Sequence, residues 1–507
     1  MALHGFHNLF MAPFPHCFVK QQNKSILVYS TSKEELIEFS DEASLILIQE
    51  LYKNISLYKA FKRLAAKLRI PLKQLVEEAD ELIAYLKSVG IIAPKDFFYD
   101  DEKKACLNLI GQMPGHFLSH VRNTGLSHLE SPVGIRLQLT SACVVGCPHC
   151  YLRGSPHLNP NPENSISIPL NTIEEVIEQL LPKGLAYVQL SGGEPCLHEN
   201  FDDICIYLLD KGIPVYVLTS GIGYNIQHVW RKIAGHKQKN RIFVQVSIDN
   251  YDTNSLCLQR PKANITTIVN LIDFLIGKEI SVQSNTVITK DNYGCLEHLA
   301  KWLRRIGVQK MLFSMCKPAG NFSEEGFKKA LSVHQYLECK RQLLSINQLD
   351  LSGDKISITF LDMPFFEDTS TDKEGGNHGI EKSLDKHCDR IVCSAGIIES
   401  VITPNCSVAP CAELSPFEDM CFGNLKQSPF LKVWNNGDTF YDIRNVICCE
   451  ECHACNYADK CGKGCHATKK ALGMDLNNPD PYCFYLKNKD IKWDMANKIL
   501  PRSYKKF

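Results

Sequence analysis

Cysteine is the residue that most constrains what this chain can fold into. Of its 507 residues, 23 are cysteine, with three between Cys143 and Cys150 and seven between Cys448 and Cys483. In a reducing compartment such an excess is typical of metal binding rather than of disulfides. We therefore expect these two segments to fold around metal.

The charge balance and the absence of an export signal indicate where the chain works. Basic and acidic residues number 56 each, so no net charge attracts nucleic acid or anionic lipid. Residues 1–20 lack a basic region followed by an apolar run, and no uncharged stretch is long enough to span a bilayer. The sequence predicts a cytoplasmic protein with neither a membrane nor a nucleic acid as its partner.

The first 95 residues have the pattern of a winged-helix-like α+β module, and a linker follows over 96–132. Within the module we predict strands over 25–30 and 35–39, and helices over 41–52, 57–68 and 71–88.

Residues 133–346 alternate strand and helix, which predicts a parallel α/β sheet. The predicted strands are 135–140, 187–191, 214–220, 242–248, 282–289 and 311–315. Six such units indicate a partial (β/α)6 barrel, in which the chemistry collects at the C-terminal ends of the strands. We assign 347–387 to a bridge, 388–485 to a cysteine-rich iron–sulfur domain and 486–507 to a tail.

The first cysteine motif follows the first barrel strand directly. It reads Cys143-Val-Val-Gly-Cys147-Pro-His-Cys150. Three thiolates on one loop can hold three corners of a [4Fe–4S] cube and leave the fourth iron open to an external ligand. The alternatives are a zinc site, which usually takes four protein ligands, and chance, which predicts roughly 0.05 such spacings per chain.

With this motif the chain resembles the radical S-adenosylmethionine (SAM) superfamily, whose signature is CxxxCxxC. The match extends to the next strand, which ends in Gly192-Gly193-Glu194-Pro195 and resembles the GGEP element of that family. The resemblance implies that the backbone and Glu194 bind the amino group of the SAM methionine.

Further positions match the family at the following strand ends. The resemblance implies contacts with the ribose and carboxylate of SAM for Ser220, Ser247 and Asp249, and a contact with adenine for His149. Arg260 is expected to pair with the SAM carboxylate. In this family one electron from the reduced cluster cleaves SAM, and the resulting deoxyadenosyl radical abstracts hydrogen from carbon.

The C-terminal cysteines resemble the SPASM extension of radical SAM enzymes. The run Cys452-x2-Cys455-x5-Cys461-x3-Cys465 is expected by chance in roughly 0.002 chains of this composition, and Cys483 follows it. The resemblance implies two auxiliary [4Fe–4S] clusters, three in all with the SAM-binding one. The ligands of the first would be Cys388, Cys393, Cys411 and Cys465, and those of the second Cys452, Cys455, Cys461 and Cys483.

One position departs from the SPASM pattern. Cys406 stands where the family has glycine, which leaves the turn and the choice of ligand open. Cys421, Cys448 and Cys449 are further spare thiols, for which packing is the simpler interpretation. A zinc ribbon over 452–483 is the alternative to a cluster. Because each auxiliary cluster would have four protein ligands, we expect these clusters to accept electrons rather than to bind substrate.

Two interpretations compete for the N-terminal module. A DNA-binding winged helix would need a basic recognition helix, but the third helix carries Glu77, Glu78, Asp80 and Glu81. The layout and the closing segment from Leu86 instead resemble the PqqD-like element, which takes a disordered leader peptide as an extra strand. A plain structural cap is the remaining alternative.

Together these resemblances imply a maturase of a ribosomally made peptide. We expect it to abstract hydrogen from the core of a precursor peptide and to form a crosslink, a thioether from a Cys sulfur to carbon. The partners would be this precursor with its leader and an electron donor such as flavodoxin or ferredoxin. The alternatives are a carbon–carbon crosslinker, a maturase that oxidises an active-site residue of another enzyme, and an iron–sulfur DNA-binding sensor.

Overall fold

The computed structural model describes most of the chain. The ranges are 9–94, 113–152, 165–223, 226–316, 357–361, 393–446 and 464–480, with the single positions 6, 106, 331, 335, 338, 339, 341, 342, 449 and 452.

The N-terminal module is a small sheet covered by helices. Its elements are β1 (Leu9–Met11), β2 (Cys17–Gln21), β3 (Ile26–Ser30), β4 (Glu35–Phe39), α1 (Glu42–Leu51), α2 (Leu57–Leu68), α3 (Leu72–Glu78), α4 (Asp80–Ser88) and β5 (Ile92–Pro94). The strands β2, β3 and β4 form an antiparallel sheet in that order, and β1 pairs with β5.

The predicted strands and the first two helices of this module are confirmed. The third predicted helix is wrong as a single element, because the backbone turns at Ala79 and separates α3 from α4. Strands β1, β2 and β5 were not predicted.

Strand β3 is buried on both of its faces. Ile26 and Val28 pack with the helices of the module, whereas Leu27 and Tyr29 belong to a second apolar cluster. Since side chains alternate across a strand, the three-stranded sheet is a middle layer with apolar contacts on either side.

The barrel and the C-terminal region follow. Their elements are α5 (Met113–Asn123), β6 (Gly134–Thr140), α6 (Leu170–Leu180), β7 (Tyr187–Gly192), α7 (Phe201–Asp210), β8 (Val215–Thr219), α8 (Ile226–Ala234), β9 (Ile242–Ser247), α9 (Thr253–Gln259), α10 (Ile265–Gly277), β10 (Ser281–Ile288), α11 (Leu296–Arg305), β11 (Lys310–Met315), β12 (Ser357–Leu361), β13 (Glu399–Ile402), β14 (Val408–Ala409), α12 (Phe430–Trp434), α13 (Tyr441–Arg444) and α14 (His466–Ala471).

All six predicted barrel strands are present, and they lie parallel in one sheet. The strand order is β12-β11-β10-β9-β8-β7-β6-β13-β14, and every pair is parallel except β13 with β14. The fold is the predicted α/β architecture, a partial barrel of parallel strands.

Two strands of this sheet come from segments that we had assigned elsewhere. Strand β12 lies in the predicted bridge 347–387, and β13 lies in the cysteine-rich region, where it pairs with β6. The pairing covers the backbone groups of β6, which would otherwise form an exposed sheet edge.

Alternation along β6 separates the two faces of the barrel. Ile135, Leu137 and Leu139 pack in the core with the barrel helices. The intervening residues, Arg136 and Gln138, point to the opposite, concave side and make polar contacts there with Gln189 and Ser415.

A second apolar cluster joins the N-terminal module to the barrel. Phe18, Leu27 and Tyr29 pack there with Val133 and Ala186, which precede or begin barrel strands. The module therefore sits at the N-terminal ends of the strands, on the side opposite to the predicted site.

Candidate active site

The loop with the first three cysteines is fixed by the end of the neighbouring strand. The backbone N–H of Gly193 donates to the carbonyl of Thr140 at 2.7 Å, and that of Glu194 donates to the carbonyl of Ala142 at 2.7 Å. A Cβ atom on Gly193 would lie 2.1 Å from the oxygen of Ala142 and 2.9 Å from Cβ of Cys143. Only glycine permits this close approach.

The three thiols lie together at this end of the barrel. Cys143 and Cys147 are buried in one small cluster with Val145, and Cys150 packs against it. Burial raises the pKa of Cys143 to about 11 and that of Cys147 to about 12. Bound metal would have to displace these protons, which couples cluster assembly to folding.

Nothing in the described part of the chain gathers three Cys, His, Asp or Glu side chains closely enough for a single metal ion. A [4Fe–4S] cube holds its cysteines farther apart than one ion does. A loop with three thiols and one glycine-lined wall fits a [4Fe–4S] cluster, in which three cysteines leave one iron open to another ligand.

Glu194 lies at the centre of a hydrogen-bond network between two strand ends. It is fully buried, and its Oε1 accepts from the hydroxyl of Thr219 at 2.6 Å. Its Oε2 accepts from both the backbone N–H and the hydroxyl of Ser220, at 2.8 and 2.6 Å. The structure thus joins two predicted site residues directly. Thr219 was not predicted, although it stands next to Ser220 in the sequence.

Three other predicted residues converge below the cysteine loop. Nε of Arg260 lies 2.7 Å from Oδ2 of the buried Asp249, and Nε2 of His149 lies 3.6 Å from the same oxygen. Arg260 also donates to Sγ of Cys147 at 3.6 Å. Burial opposes the charge of Arg260, but Asp249 and Cys147 hold its pKa above the usual value. Arg260 is thus paired within the protein, and its contact with the SAM carboxylate stays a prediction.

The remaining predicted positions lie at the same end of the sheet. Gly192 has φ +130° and pairs with Thr140, and Ser247 ends β9 opposite Asn285. The hydroxyl of Ser191 is buried there without a hydrogen-bond partner. An orphaned buried hydroxyl beside the glycine-lined loop fits a site that binds a polar cofactor such as SAM.

The auxiliary cysteines are described only in part. Cys388, Cys455, Cys461 and Cys483 lie outside the described residues. Of the others, Cys411 and Cys465 pack against the main core, and Cys393 precedes Ser394 at the start of the C-terminal region.

Cys406 occupies a strained turn. Its φ is +67°, a conformation that favours glycine, and its side chain is fully buried. The left-handed backbone accounts for the glycine that the SPASM pattern has at this position.

A polar cavity of about 180 Å³ lies between the barrel and the C-terminal region. Arg136, Gln189, Glu399 and Cys411 are among the residues that line it. Burial lowers the pKa of Arg136, but neighbouring acidic groups, Tyr151 first among them, outweigh this and raise it. The polar alternation of β6 was visible in the sequence, but its partners from residues 394–413 were not.

Two family models match this chain. Residues 137–303 match the model described as Radical SAM superfamily, and residues 393–456 match SPASM, described as an iron–sulfur cluster-binding domain. These segments contain the first cysteine loop and β13. The two domains imply [4Fe–4S] clusters, one that binds SAM and others that are auxiliary, as predicted.

Curated relatives are similar over most of the chain. The mycofactocin maturase MftC of Mycobacterium tuberculosis is 24% identical over 360 residues, which cover 70% of this chain and 83% of the relative. The antilisterial bacteriocin subtilosin biosynthesis protein AlbA of Bacillus subtilis is 21% identical over 487 residues, 93% of this chain and 96% of the relative.

The fold also matches solved structures of SuiB from Streptococcus suis. The structure bound to S-adenosylmethionine has a TM-score of 0.66 and covers 92% of this chain and 99% of SuiB. The structure bound to the precursor peptide SuiA has a TM-score of 0.65 and covers 94% of this chain and 100% of SuiB. At 14% identity, both show the fold alone. No helix in the described ranges is long and apolar enough to cross a membrane.

Proposed function

We propose that this chain, a SAM-dependent radical enzyme with [4Fe–4S] clusters, is a maturase of a ribosomally made precursor peptide. MftC is named a maturase, AlbA a bacteriocin biosynthesis protein, and SuiB was solved with a precursor peptide. The observation that carries the proposal is the small antiparallel sheet that packs onto the barrel and whose edge strand β4, among the described residues, has a strand partner on one side only.

The available edge is strand β4. Among the described residues, β4 pairs only with β3, whereas the backbone of β2 at the other edge lies against the barrel near Gly184. Tyr85 of α4 donates to Glu35 of β4 at 2.7 Å, so a helix flanks this edge. An extended leader peptide could pair here through its main chain, as in other β-augmentation complexes.

The charges of the module speak against DNA as the ligand. Lys53, Arg63 and Lys67 all pair with the buried carboxylate of Glu50, at 2.7, 2.8 and 3.1 Å. Cations that are engaged in this way contribute little to binding of phosphates. We therefore propose no nucleic acid as a partner of this protein.

The chemistry of the proposed reaction follows from the site. With SAM bound, a reduced [4Fe–4S] cluster would supply the one electron that cleaves SAM into methionine and a deoxyadenosyl radical, which takes hydrogen from carbon. Glu194, Asp249, His149 and Ser247 would hold SAM, and Arg260 would position Asp249 and Cys147. The auxiliary clusters would accept the electron that bond formation releases, and flavodoxin or ferredoxin would supply the electron for SAM cleavage.

The proposed product is a thioether between a substrate Cys sulfur and carbon. A carbon–carbon crosslink is the second candidate, and oxidation of a residue in another enzyme is the third. The crosslinking reactions remove two hydrogens per link, so the mass falls by about 2 Da. Only the thioether also consumes a thiol.

The test combines two measurements on one anaerobic incubation. Deoxyadenosine release with dithionite measures SAM cleavage, and mass spectrometry of a co-expressed precursor, after reduction and alkylation, measures the product. We expect a loss of about 2 Da and of one alkylatable Cys per link. Loss of mass with all thiols retained would contradict the thioether but not the peptide maturase.

The leader site has its own test. A leader peptide with Pro in the segment that pairs with β4 should bind more weakly, because Pro cannot donate to the strand ladder. Pro placed outside this segment is the control. Equal affinity of both peptides would contradict strand pairing.

A further inference from the structure

Lys20 is a fully buried lysine far from the predicted active site. It lies in β2, and its side chain is inaccessible to solvent. Its Nζ donates to Oγ of Ser131 at 2.8 Å and to the carbonyl oxygens of Pro132 and Gly184 at 2.9 and 2.8 Å. All three ammonium donors are thus used, which is what a buried lysine requires.

The partners of Lys20 lie at the start of two barrel strands. Pro132 stands two residues before β6, and Gly184 stands three residues before β7. The far ends of these strands carry the cysteine loop and Glu194. One side chain of the N-terminal module therefore joins the two strands on which the predicted site depends.

The backbone contact around Lys20 is equally close. Gly184 has φ +82°, and a Cβ atom there would lie 2.4 Å from the carbonyl oxygen of Val19. The backbone N–H of Asn23 donates to Oε1 of Glu130 at 2.9 Å, and the guanidinium of Arg241 lies 5.7 Å from the ring of Phe14. The interface thus has polar contacts around an apolar centre.

We propose that Lys20 fixes the N-terminal module to the base of the barrel as one rigid unit, so that a bound leader is held at a set distance from the radical site. The proposal rests on the peptide-modifying function proposed above. Lys20 acts here as a positioning residue and touches neither substrate nor cofactor.

This arrangement sets a minimum length for the peptide between leader and modified residue. The module lies at the N-terminal ends of the strands and the cysteine loop at their C-terminal ends. Strand β6 has seven residues and spans about 20 Å at roughly 3.3 Å per residue. An extended peptide needs at least about seven residues to cover that distance. Precursors with shorter spacers should bind but should not be modified.

The experiment uses full-length protein with the substitution K20M, which keeps the length of the side chain and removes its donors. Lys24, exposed in the turn between β2 and β3, provides the matched control K24M. S131A, which removes one of the acceptors of Lys20, is the milder variant. Each protein receives a series of precursors with spacers from three to fifteen residues, a range chosen around the estimate of about seven.

We expect wild type and K24M to show a sharp spacer threshold at or above about seven residues. In K20M the extent of modification should change gradually with spacer length rather than sharply. Modification at the best spacer should fall about tenfold, while leader affinity and deoxyadenosine release stay within twofold of wild type. Amide exchange at β2 and Gly184 should become at least tenfold faster in K20M, with β10 unchanged. S131A should change the spacer dependence of modification and the amide exchange at β2 and Gly184 in the same direction as K20M, but by a smaller amount.

Two outcomes would overturn the proposal. One is unchanged amide exchange at β2 and Gly184 in K20M, which would show that Lys20 does not hold the interface. The other is faster amide exchange with an unchanged spacer threshold, which would show that the interface does not set the distance between the bound leader and the radical site. Failure of the proposed function is distinguishable, because then no precursor would be modified by any variant, and amide exchange alone would decide whether Lys20 holds the module.

Discussion

Replacing Gly193 with alanine tests whether the cysteine loop depends on the close approach of the neighbouring strand. The added Cβ would lie 2.1 Å from the oxygen and 2.6 Å from the carbonyl carbon of Ala142. Both are backbone atoms, so no side-chain rotation relieves the overlap. To reach ordinary contact distance the loop must move by about 1 Å.

The expected cost can be worked from the contacts that this movement disrupts. The hydrogen bonds from Gly193 to Thr140 and from Glu194 to Ala142, both 2.7 Å, contribute about 1 kcal/mol each. Overpacking adds about 1–3 kcal/mol, for a total of about 3–5 kcal/mol. A displacement of about 1 Å at reacting groups lowers the rate by about 100-fold.

The assay measures deoxyadenosine formation per SAM-binding cluster under dithionite, together with anaerobic iron content. We expect Gly193→Ala to lose about 100-fold in this rate and to bind iron more weakly at the first loop. Gly223→Ala is the matched control, because its Cβ would lie 3.6 Å from a side-chain carbon of Leu197, an ordinary contact. Wild-type rate and iron content in Gly193→Ala would refute the reasoning.

Three further predictions concern the clusters and the C-terminal region. Replacing Cys143, Cys147 and Cys150 together with alanine should abolish deoxyadenosine release and remove about a third of the iron if three clusters are present; unchanged release would contradict the assignment. Cys406→Gly should keep all the iron, and Cys406→Val should melt earlier than wild type because a β-branched residue is disfavoured further at φ +67°; iron loss in Cys406→Gly would make Cys406 a ligand. Burial, then Arg444, lowers the pKa of His128 to about 4, so the folded state binds fewer protons than the unfolded state between about pH 6.5 and 4. Stability should therefore fall as pH falls through this window, and the fall in melting temperature from pH 7.5 to 5.5 should be smaller in His128→Gln; equal falls would contradict the prediction.

The sequence predicted the barrel well because its strands are apolar on the helix side and are separated by long helical patterns. It also predicted that Glu194 and Ser220 belong to one site, since parallel strands end at the same edge of the sheet. The hydrogen bond between them could not be predicted, because spacing along the chain does not indicate which hydroxyl group donates to a given carboxylate.

The errors have physical reasons of their own. Strand β2 was not predicted. The ammonium group of its buried Lys20 is satisfied by acceptors more than 100 residues away, which no local pattern shows. Strand β13 was not predicted, because its partner, β6, lies far away in the sequence. Long-range pairing of this kind leaves no local pattern.

The pairing of β13 with β6 also has a consequence for biosynthesis. Glu399 pairs opposite Gly134, so the strand that covers this edge of β6 is synthesised about 265 residues after β6 itself. At ~5–20 residues per second this delay is roughly 13–50 s. During that interval the strand that leads into the first cysteine loop is an unpaired sheet edge, open to pairing with another chain. Synthesis of β13 then covers this edge.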